Sequence, residues 1–197
     1  MNIFKTARLS VRTAAPEDAG FLYHLWTHPD VMHNVGFPNG LKITKEEILR
    51  KITDQENVRR EKAKQQITNP NNTVYDRYLV ITLQGTDDLI GECKLGYPNN
   101  QGIATTDVKI LPEYWGHKYG SEIKRGLLKF LFENTVCIAV EATPNVSNAA
   151  SIKMQEAAGG VRVGEGTYYF PEKMKDFTRP VHHYIYRVTR EAWERHK

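Results

Sequence analysis

The sequence predicts one mixed α+β domain. Three observations carry that expectation. Mid-chain, three strand-like runs follow one another with turn signals between them. A strongly amphipathic helix comes directly after a glycine-containing loop. No linker, repeat or low-complexity tract interrupts the 197 residues, so residues 1–197 are read as a single domain with its own core.

The elements follow in order. LSVRTA, Leu9 to Ala14, alternates apolar and polar residues and reads as the first strand. Pro16 opens a helix, where its missing N–H costs nothing, and Leu22, Leu25 and Trp26 share one face of it. THPDVMHNVGFPNG is a turn-rich connection. Thr44 and Glu47 form the T-x-x-E pattern of a capping box, ahead of a helix with Ile48, Leu49 and Ile52 on one side. That helix becomes highly charged along RREKAKQQ, Arg59 to Gln66, and ITNPNNT, Ile67 to Thr73, breaks it. RYLVITL (Arg77 to Leu83), LIGECKLGY (Leu89 to Tyr97) and IATTDVKIL (Ile103 to Leu111) are strands, with GTDD as the hairpin signal between the first two. In the next helix Ile123, Leu127, Phe130 and Leu131 fall at apolar spacing, with Lys124, Arg125 and Lys129 expected to face away. VCIAVEA, Val136 to Ala142, is a buried strand. NAASIKMQEAAGG is a short helix capped by Asn148 and stopped by Gly159 and Gly160. VHHYIYRV, Val181 to Val188, is the closing strand.

Composition removes several function classes. The net charge is +4 and the pI about 9.0, but the basic residues are dispersed. The densest run, Arg59 to Gln66, has few apolar residues and reads as a solvated helix face rather than a nucleic-acid surface. Cys93 and Cys137 are the only cysteines; both sit in apolar stretches and read as buried free thiols, too few for a usual structural zinc site. No apolar run approaches the ~20 residues of a membrane span, and MNIFKTARLSVR has no secretory h-region, so a soluble cytoplasmic protein is the expectation.

The stretch LPEYWGHKYGSEIKRGLLKFLFE, Leu111 to Glu133, places a bare loop at a helix N-terminus. Amides there are unpaired and the helix dipole is positive, which suits an anion. It is neither a Walker loop nor G-x-G-x-x-G. On local sequence alone an ordinary strand-to-helix connection is the better explanation. Four segments in order change that reading. P-E-Y-W-G-H-K-Y-G-S-E, Pro112 to Glu122, resembles the P-E-Y-W-G-K-G-Y-A-T-E loop of the RimJ/RimL-type branch of the GNAT N-acetyltransferase superfamily. LSVRTAAPEDAGFLYHLWTHPDVMH resembles the opening strand and helix of that branch, NAASIKMQEAAGG its N-x-x-S helix, and HHYIYRVTREAWER its closing strand and tail.

The resemblance implies a mostly antiparallel central sheet of about seven strands flanked by helices and splayed between the fourth and fifth. It implies acetyl-CoA as cosubstrate and no metal. The pyrophosphate-binding positions map to Trp115, Gly116, His117, Lys118, Tyr119 and Gly120, with Ser121 following. Trp115 stands where Gln or Arg is common in the superfamily, and Lys118 replaces an internal glycine. A positive φ at Lys118 would carry a cost; its ammonium either pairs with a CoA phosphate or points to solvent. Backbone amides of Val108, Ile110 and Leu111 are the expected partners of the pantetheine arm and acetyl carbonyl, and Asn148 lies close to that arm. Many superfamily members use a tyrosine to protonate the leaving thiolate. The helix from Asn148 to Gly159 has none, so Ser151 is the candidate donor, against the alternative that it only serves the first helical turn.

For a general base, Glu141 and Asp107 rank above Glu92; all three sit in expected central strands, where carboxylates are uncommon. Each could instead pair with an arginine or point to solvent, and water could relay the proton. His182 and His183 are adjacent in a strand and so face opposite ways, which disfavours joint ligation of one metal. His24, His28 and His33 match no zinc spacing but could line an acceptor cleft, as could Tyr168, Tyr169 and Phe170. The implied acceptor is a primary amine of a small molecule or a protein N-terminus. No membrane or nucleic-acid partner is expected, and a homodimer is compatible with the reading. The rival reading is a non-catalytic acyl-CoA-binding domain.

Overall fold

A computed structural model of the chain describes residues 2–64, 75 and 77–195. Eight strands form one sheet: β1 (Asn2–Lys5), β2 (Leu9–Thr13), β3 (Leu79–Leu83), β4 (Leu89–Leu95), β5 (Ile103–Ile110), β6 (Ala139–Ala142), β7 (Val161–Tyr168) and β8 (Val181–Thr189). Six helices accompany them: α1 (Ala19–Thr27), α2 (Pro29–Met32), α3 (Lys45–Lys64), α4 (Tyr119–Asn134), α5 (Ala149–Ala157) and α6 (Arg190–Arg195). The strand order is β1-β2-β3-β4-β5-β6-β8-β7, and every pairing is antiparallel except β5 with β6.

The α+β architecture therefore matches expectation, with eight strands rather than about seven. The expected splay is present in the register. β5 pairs with β6 only through Ile103 to Thr105, opposite Ala139 to Glu141, and its remaining residues up to Ile110 have no partner strand on that side.

The sheet separates two apolar cores. On one face Leu9, Val11, Leu79, Ile81, Cys93 and Leu95 pack with Ile123, Leu127, Leu128 and Leu131 of α4. On the other, Val80 packs with Leu22, Leu25 and Trp26 of α1 and Ile48 and Ile52 of α3. Both cysteines are buried and free. The capping box forms as read: Thr44 N donates to Glu47 Oε2 at 2.8 Å and Glu47 N to Thr44 Oγ1 at 3.2 Å. The connection from β2 to α1 is held by buried Asp18, which takes both guanidinium nitrogens of Arg12 (2.6 and 2.8 Å) and the Ala15 amide (2.7 Å). The charged run to Gln66 and the loop from Ile67 to Thr73 fall on residues whose side chains or backbone lie outside the described part.

Three local expectations are corrected. The strand read over Val136 to Ala142 is only β6; Val136 and Ile138 are exposed, because the chain leaving α4 turns at Thr135 and enters the sheet only at Ala139. β1 and β7 escaped the reading: Leu9–Thr13 is the second strand, paired with Asn2–Lys5, and in β7 Gly164 and Gly166 break the β-forming pattern, but β8 supplies the pairing that makes it a strand. Lys124 does not face away. Arg125 and Lys129 are exposed, whereas Lys124 is 1% exposed. At about 100° per residue it falls angularly between Leu131 and Leu128, inside the buried arc of α4.

Arg190 locks the end of α4 to the sheet. Its guanidinium donates to the carbonyls of Phe132 (2.7 Å), Thr135 (2.8 Å) and Cys137 (2.9 Å), satisfying acceptors at and beyond the helix terminus. Arg190→Ala should lower the unfolding free energy by about 2–4 kcal/mol, since charge-assisted bonds are worth about 1.5–3 kcal/mol each before solvent screening. Denaturant unfolding measures this, and a loss under about 0.5 kcal/mol would contradict the assignment.

Candidate active site

The gap between β5 and β6 is where unpaired backbone converges. Leu111 N donates to Ile90 O (2.9 Å) and Gly96 N to Thr105 O (2.8 Å), so the odd-numbered residues of β5 bond to β4. By antiparallel alternation Val108 and Ile110 turn their polar groups towards the gap. Asp107 Oδ1 accepts from Val108 N at 2.9 Å, and Ile110 N has no acceptor among the described residues. Leu111, expected as a third donor to the gap, is not available, because its amide belongs to the sheet ladder.

The chain then passes through Pro112–Tyr114, a single 3-10 turn, into the loop ahead of α4. Trp115 donates its indole N–H to Ile110 O at 2.7 Å, tying the loop to the end of β5. Gly116 has φ 80° and Lys118 φ 63°; both are left-handed. The cost foreseen for lysine in a glycine position is therefore real, and the Lys118 side chain is exposed. The first intrahelical bond runs from Glu122 N to Lys118 O (3.1 Å), leaving the amides of Gly116 to Ser121 without a backbone acceptor among the described residues. Gly120 also keeps the passage narrow: a Cβ there would lie 3.1 Å from Met154 Sδ on α5.

A clamp that sequence reasoning missed holds this loop. Glu122 Oε1 accepts from Thr6 Oγ1 (2.5 Å) and Arg8 N (2.9 Å), and Oε2 accepts from Arg8 Nε (2.8 Å). Arg8 also donates to His117 O at 3.1 Å and lies over the Tyr119 ring, 4.6 Å from its centroid; that ring stacks with His117. Burial pushes the Glu122 pKa up, but the bonds from Thr6 and Arg8 outweigh it and hold the carboxyl below its ordinary value. The only sequence signal was a glutamate in the first turn of a helix; its partners are more than a hundred residues away.

The two sheet faces carry different chemistry. Glu92 and Lys109 are paired across β4 and β5 on the α1–α3 face, 3.1 Å apart, and Lys109 also bonds Asp107. Burial opposes charge on Lys109, yet Asp107 and Glu92 keep its pKa above the ordinary value. Burial likewise pushes Asp107 up, and Lys109 with the Val108 amide brings it down below the usual carboxylate range. Glu141 stands on the same face, opposite Thr105. Its Oε1 takes both Nε (2.8 Å) and an Nη (2.5 Å) of Arg187, leaving Oε2 without a bond among the described residues. On the α4 face, Asn148 caps α5, its Oδ1 accepting from Ser151 N at 3.0 Å. The Ser151 hydroxyl is thus spared the capping role and has no partner among the described residues.

The other candidates are spread out. His182 bonds Thr167 through its ring (2.7 Å), and His183 lies on the opposite side of β8. His24 and His28 meet edge to face at 5.9 Å, and buried His28 Nδ1 has no partner among the described residues. His33 is exposed. Phe170 packs edge-on against Phe37 (5.2 Å) and Tyr168 (4.9 Å), joining the β7–β8 connection to the turn after α2, while Tyr169 is largely exposed. A cavity of about 560 Å³ between α4, α5, β8 and α6, lined by Arg125, Glu156 and Trp193 among others, includes none of the loop residues.

A helix-start loop of free amides beside a parted sheet suits an extended ligand with an anionic end. A profile for the Acetyltransferase (GNAT) domain matches residues 8–161, and the chain belongs to that family. Among solved structures it resembles a GNAT-family acetyltransferase from Bacillus anthracis (TM-score 0.73, 20% identity, 97% of this chain and 99% of that one). It also resembles a ribosomal-protein-S5-alanine acetyltransferase from Vibrio fischeri (0.71, 15%, 98% and 98%). A third is an aminoglycoside acetyltransferase in complex with coenzyme A (0.65, 17%, 95% and 98%). At these identities the likeness is one of fold. A comparison with curated protein sequences gives no significant match.

Two outcomes test the loop. Lys118→Gly removes the left-handed penalty of about 1–2 kcal/mol, less the ~0.5–1 kcal/mol entropic cost of glycine, so thermal unfolding should show a net gain of up to about 1 kcal/mol. Glu122 has a depressed folded-state pKa, so its contribution is fully present above the unfolded value of about 4.3 and is lost as pH falls through the folded value. Glu122→Gln should therefore destabilise at pH 7 and flatten the acid limb of the stability curve; an unchanged acid limb would refute the clamp.

Proposed function

We propose that the chain is an acetyl-CoA-dependent N-acetyltransferase of the RimJ/RimL-type branch, acting on a primary amine of a peptide N-terminus or small molecule. The observation that carries this is a row of free amides in two stretches, Ile110 at the end of β5 and Gly116 to Ser121 at the start of α4, separated by the paired amides of Leu111, Tyr114 and Trp115. Such a row fits a ligand with strand-like amides at one end and a doubly charged phosphate pair at the other. The amides of Gly116 to Ser121 would take the pyrophosphate. Those of Val108 and Ile110 would take the pantetheine arm and acetyl carbonyl, once Asp107 yields Val108 N.

Transfer requires a neutral amine, an oxyanion donor and assistance to the sulfur. The amine nitrogen attacks the acetyl carbon, the C–N bond forms, and the C–S bond breaks with its electron pair on sulfur. The proton lost from nitrogen passes to Glu141 Oε2, directly or through water, with Asp107 as the second carboxylate on that face. Ser151 Oγ, free of the cap, donates to the sulfur. Asp107 and Glu141 also favour a cationic acceptor approaching from the α1–α3 side, where the aromatic group around Phe37, Tyr168 and Phe170 would border it.

Calorimetric titration with acetyl-CoA, followed by mass spectrometry of products from an amine panel, tests the whole reading. Binding with turnover supports it, binding without turnover favours the acyl-CoA-binding rival, and no binding rejects both. Glu141→Gln should lower kcat by roughly 10²–10⁴-fold with CoA affinity kept. Ser151→Ala should slow transfer with stability nearly unchanged, and an acyl donor with a more acidic thiol should restore its rate.

A further inference from the structure

Lys124 is the one fully buried charged side chain among the large buried residues, and the proposed chemistry above leaves it idle. It projects from the second turn of α4, the helix whose start forms the anion-binding loop. Its ammonium donates to Thr106 Oγ1 at 2.7 Å. Thr106 is the first residue of β5 beyond the last pair with β6, so the ammonium stands on the α4 face where the two strands part. That single neutral acceptor is its only hydrogen-bond partner among the described residues, and a buried cation without an anion is costly. Burial pushes its pKa down to about 8, with Asp107 offsetting part of the effect.

Among the described residues the surroundings show no contact anion. On β5, Asp107 is engaged by Lys109 on the opposite face. On β4, Glu92 also pairs with Lys109, and Cys93, on the α4 face, has its pKa raised by burial, which keeps it a neutral thiol. On α4, Glu122 is taken by Arg8 and Thr6. From β1, Phe4 packs on α4 at Gly126.

We propose that the Lys124 ammonium is the charge partner of the CoA thiolate released in the gap. The inference rests on the acetyltransferase reading and deepens it. Ser151 can offer the sulfur a neutral hydrogen bond but cannot balance its charge. When the C–S bond breaks, the electron pair stays on sulfur as thiolate beside the ammonium, and the proton lost by the attacking amine leaves through the carboxylate face. No anion is present before transfer, so the contact favours the reacting state over the bound thioester, which is what a catalytic contact must do.

Lys124→Met keeps the length and removes the charge. Because the folded-state pKa lies below the unfolded value of about 10.4, the charged lysine destabilises the fold below pH 8, and the penalty fades as pH rises from 8 to about 10.4. The variant should therefore melt higher than wild type at pH 7, with the difference closing by about pH 10.4, which establishes folding separately from ligand effects. The decisive measurement is the ultraviolet absorbance titration of the thiol of CoA bound to each protein. A free thiol titrates near ~8.5; beside Lys124 it should ionise at least one pH unit lower, a tenfold gain in thiolate, and Lys124→Met should abolish the gain. Calorimetry should show the CoA-to-acetyl-CoA affinity ratio at pH 8 falling about threefold or more in the variant, as a one-unit shift from ~8.5 requires by proton linkage. Identical thiol titrations in the two proteins would overturn this proposal alone. A wild type that binds neither CoA nor acetyl-CoA would overturn it together with the acetyltransferase reading.

Discussion

The parallel contact between β5 and β6 is three residues long, and the rest of the site depends on its stopping there. Main-chain polar groups must be satisfied by something. Once Glu141 has paired with Thr105, the strands part, and the gap-facing amides of Val108 and Ile110 have only a neighbouring carboxylate, the Trp115 linkage at Ile110 O and whatever enters the gap. α4 continues the same condition, since the first amides of any helix lack internal acceptors. A sheet that parts and a helix that begins thus contribute two sets of donors, one on either side of the turn from Leu111 to Trp115.

Holding these donors open needs support from elsewhere in the chain. Arg8 and Thr6, from the turn between β1 and β2, fix Glu122 and through it the start of α4. Arg190, at the start of α6, fixes the other end of the same helix. The loop itself stores strain at Lys118, so its conformation is imposed by these anchors rather than chosen by its residues.

The sheet also sorts charge. Its α1–α3 face carries Glu92, Asp107 and Glu141, tempered by Lys109 and Arg187. Among the described residues its α4 face carries a single buried ammonium, Lys124. A proton leaving an amine and a negative charge arriving on sulfur have opposite electrostatic needs, and the two faces meet them separately.

Much of this was legible in the chain before folding. The alternation of LSVRTA, the T-x-x-E box at Thr44, the Asn148 cap and the loop from Pro112 to Gly120 are local signals, set by backbone geometry within a few residues, and each appears in the structure where its pattern places it. What only the tertiary structure decided is everything that needs a distant partner. β7 is a strand because β8 lies beside it, despite two glycines; Leu111 loses its donor to the ladder with Ile90; Glu122 finds Arg8 across more than a hundred residues. Lys124 shows the division most plainly. Its charge belongs outside by composition, but its position on the helix lies within the buried arc, and the sheet packed against that arc turns a surface residue into a buried cation at the mouth of the gap.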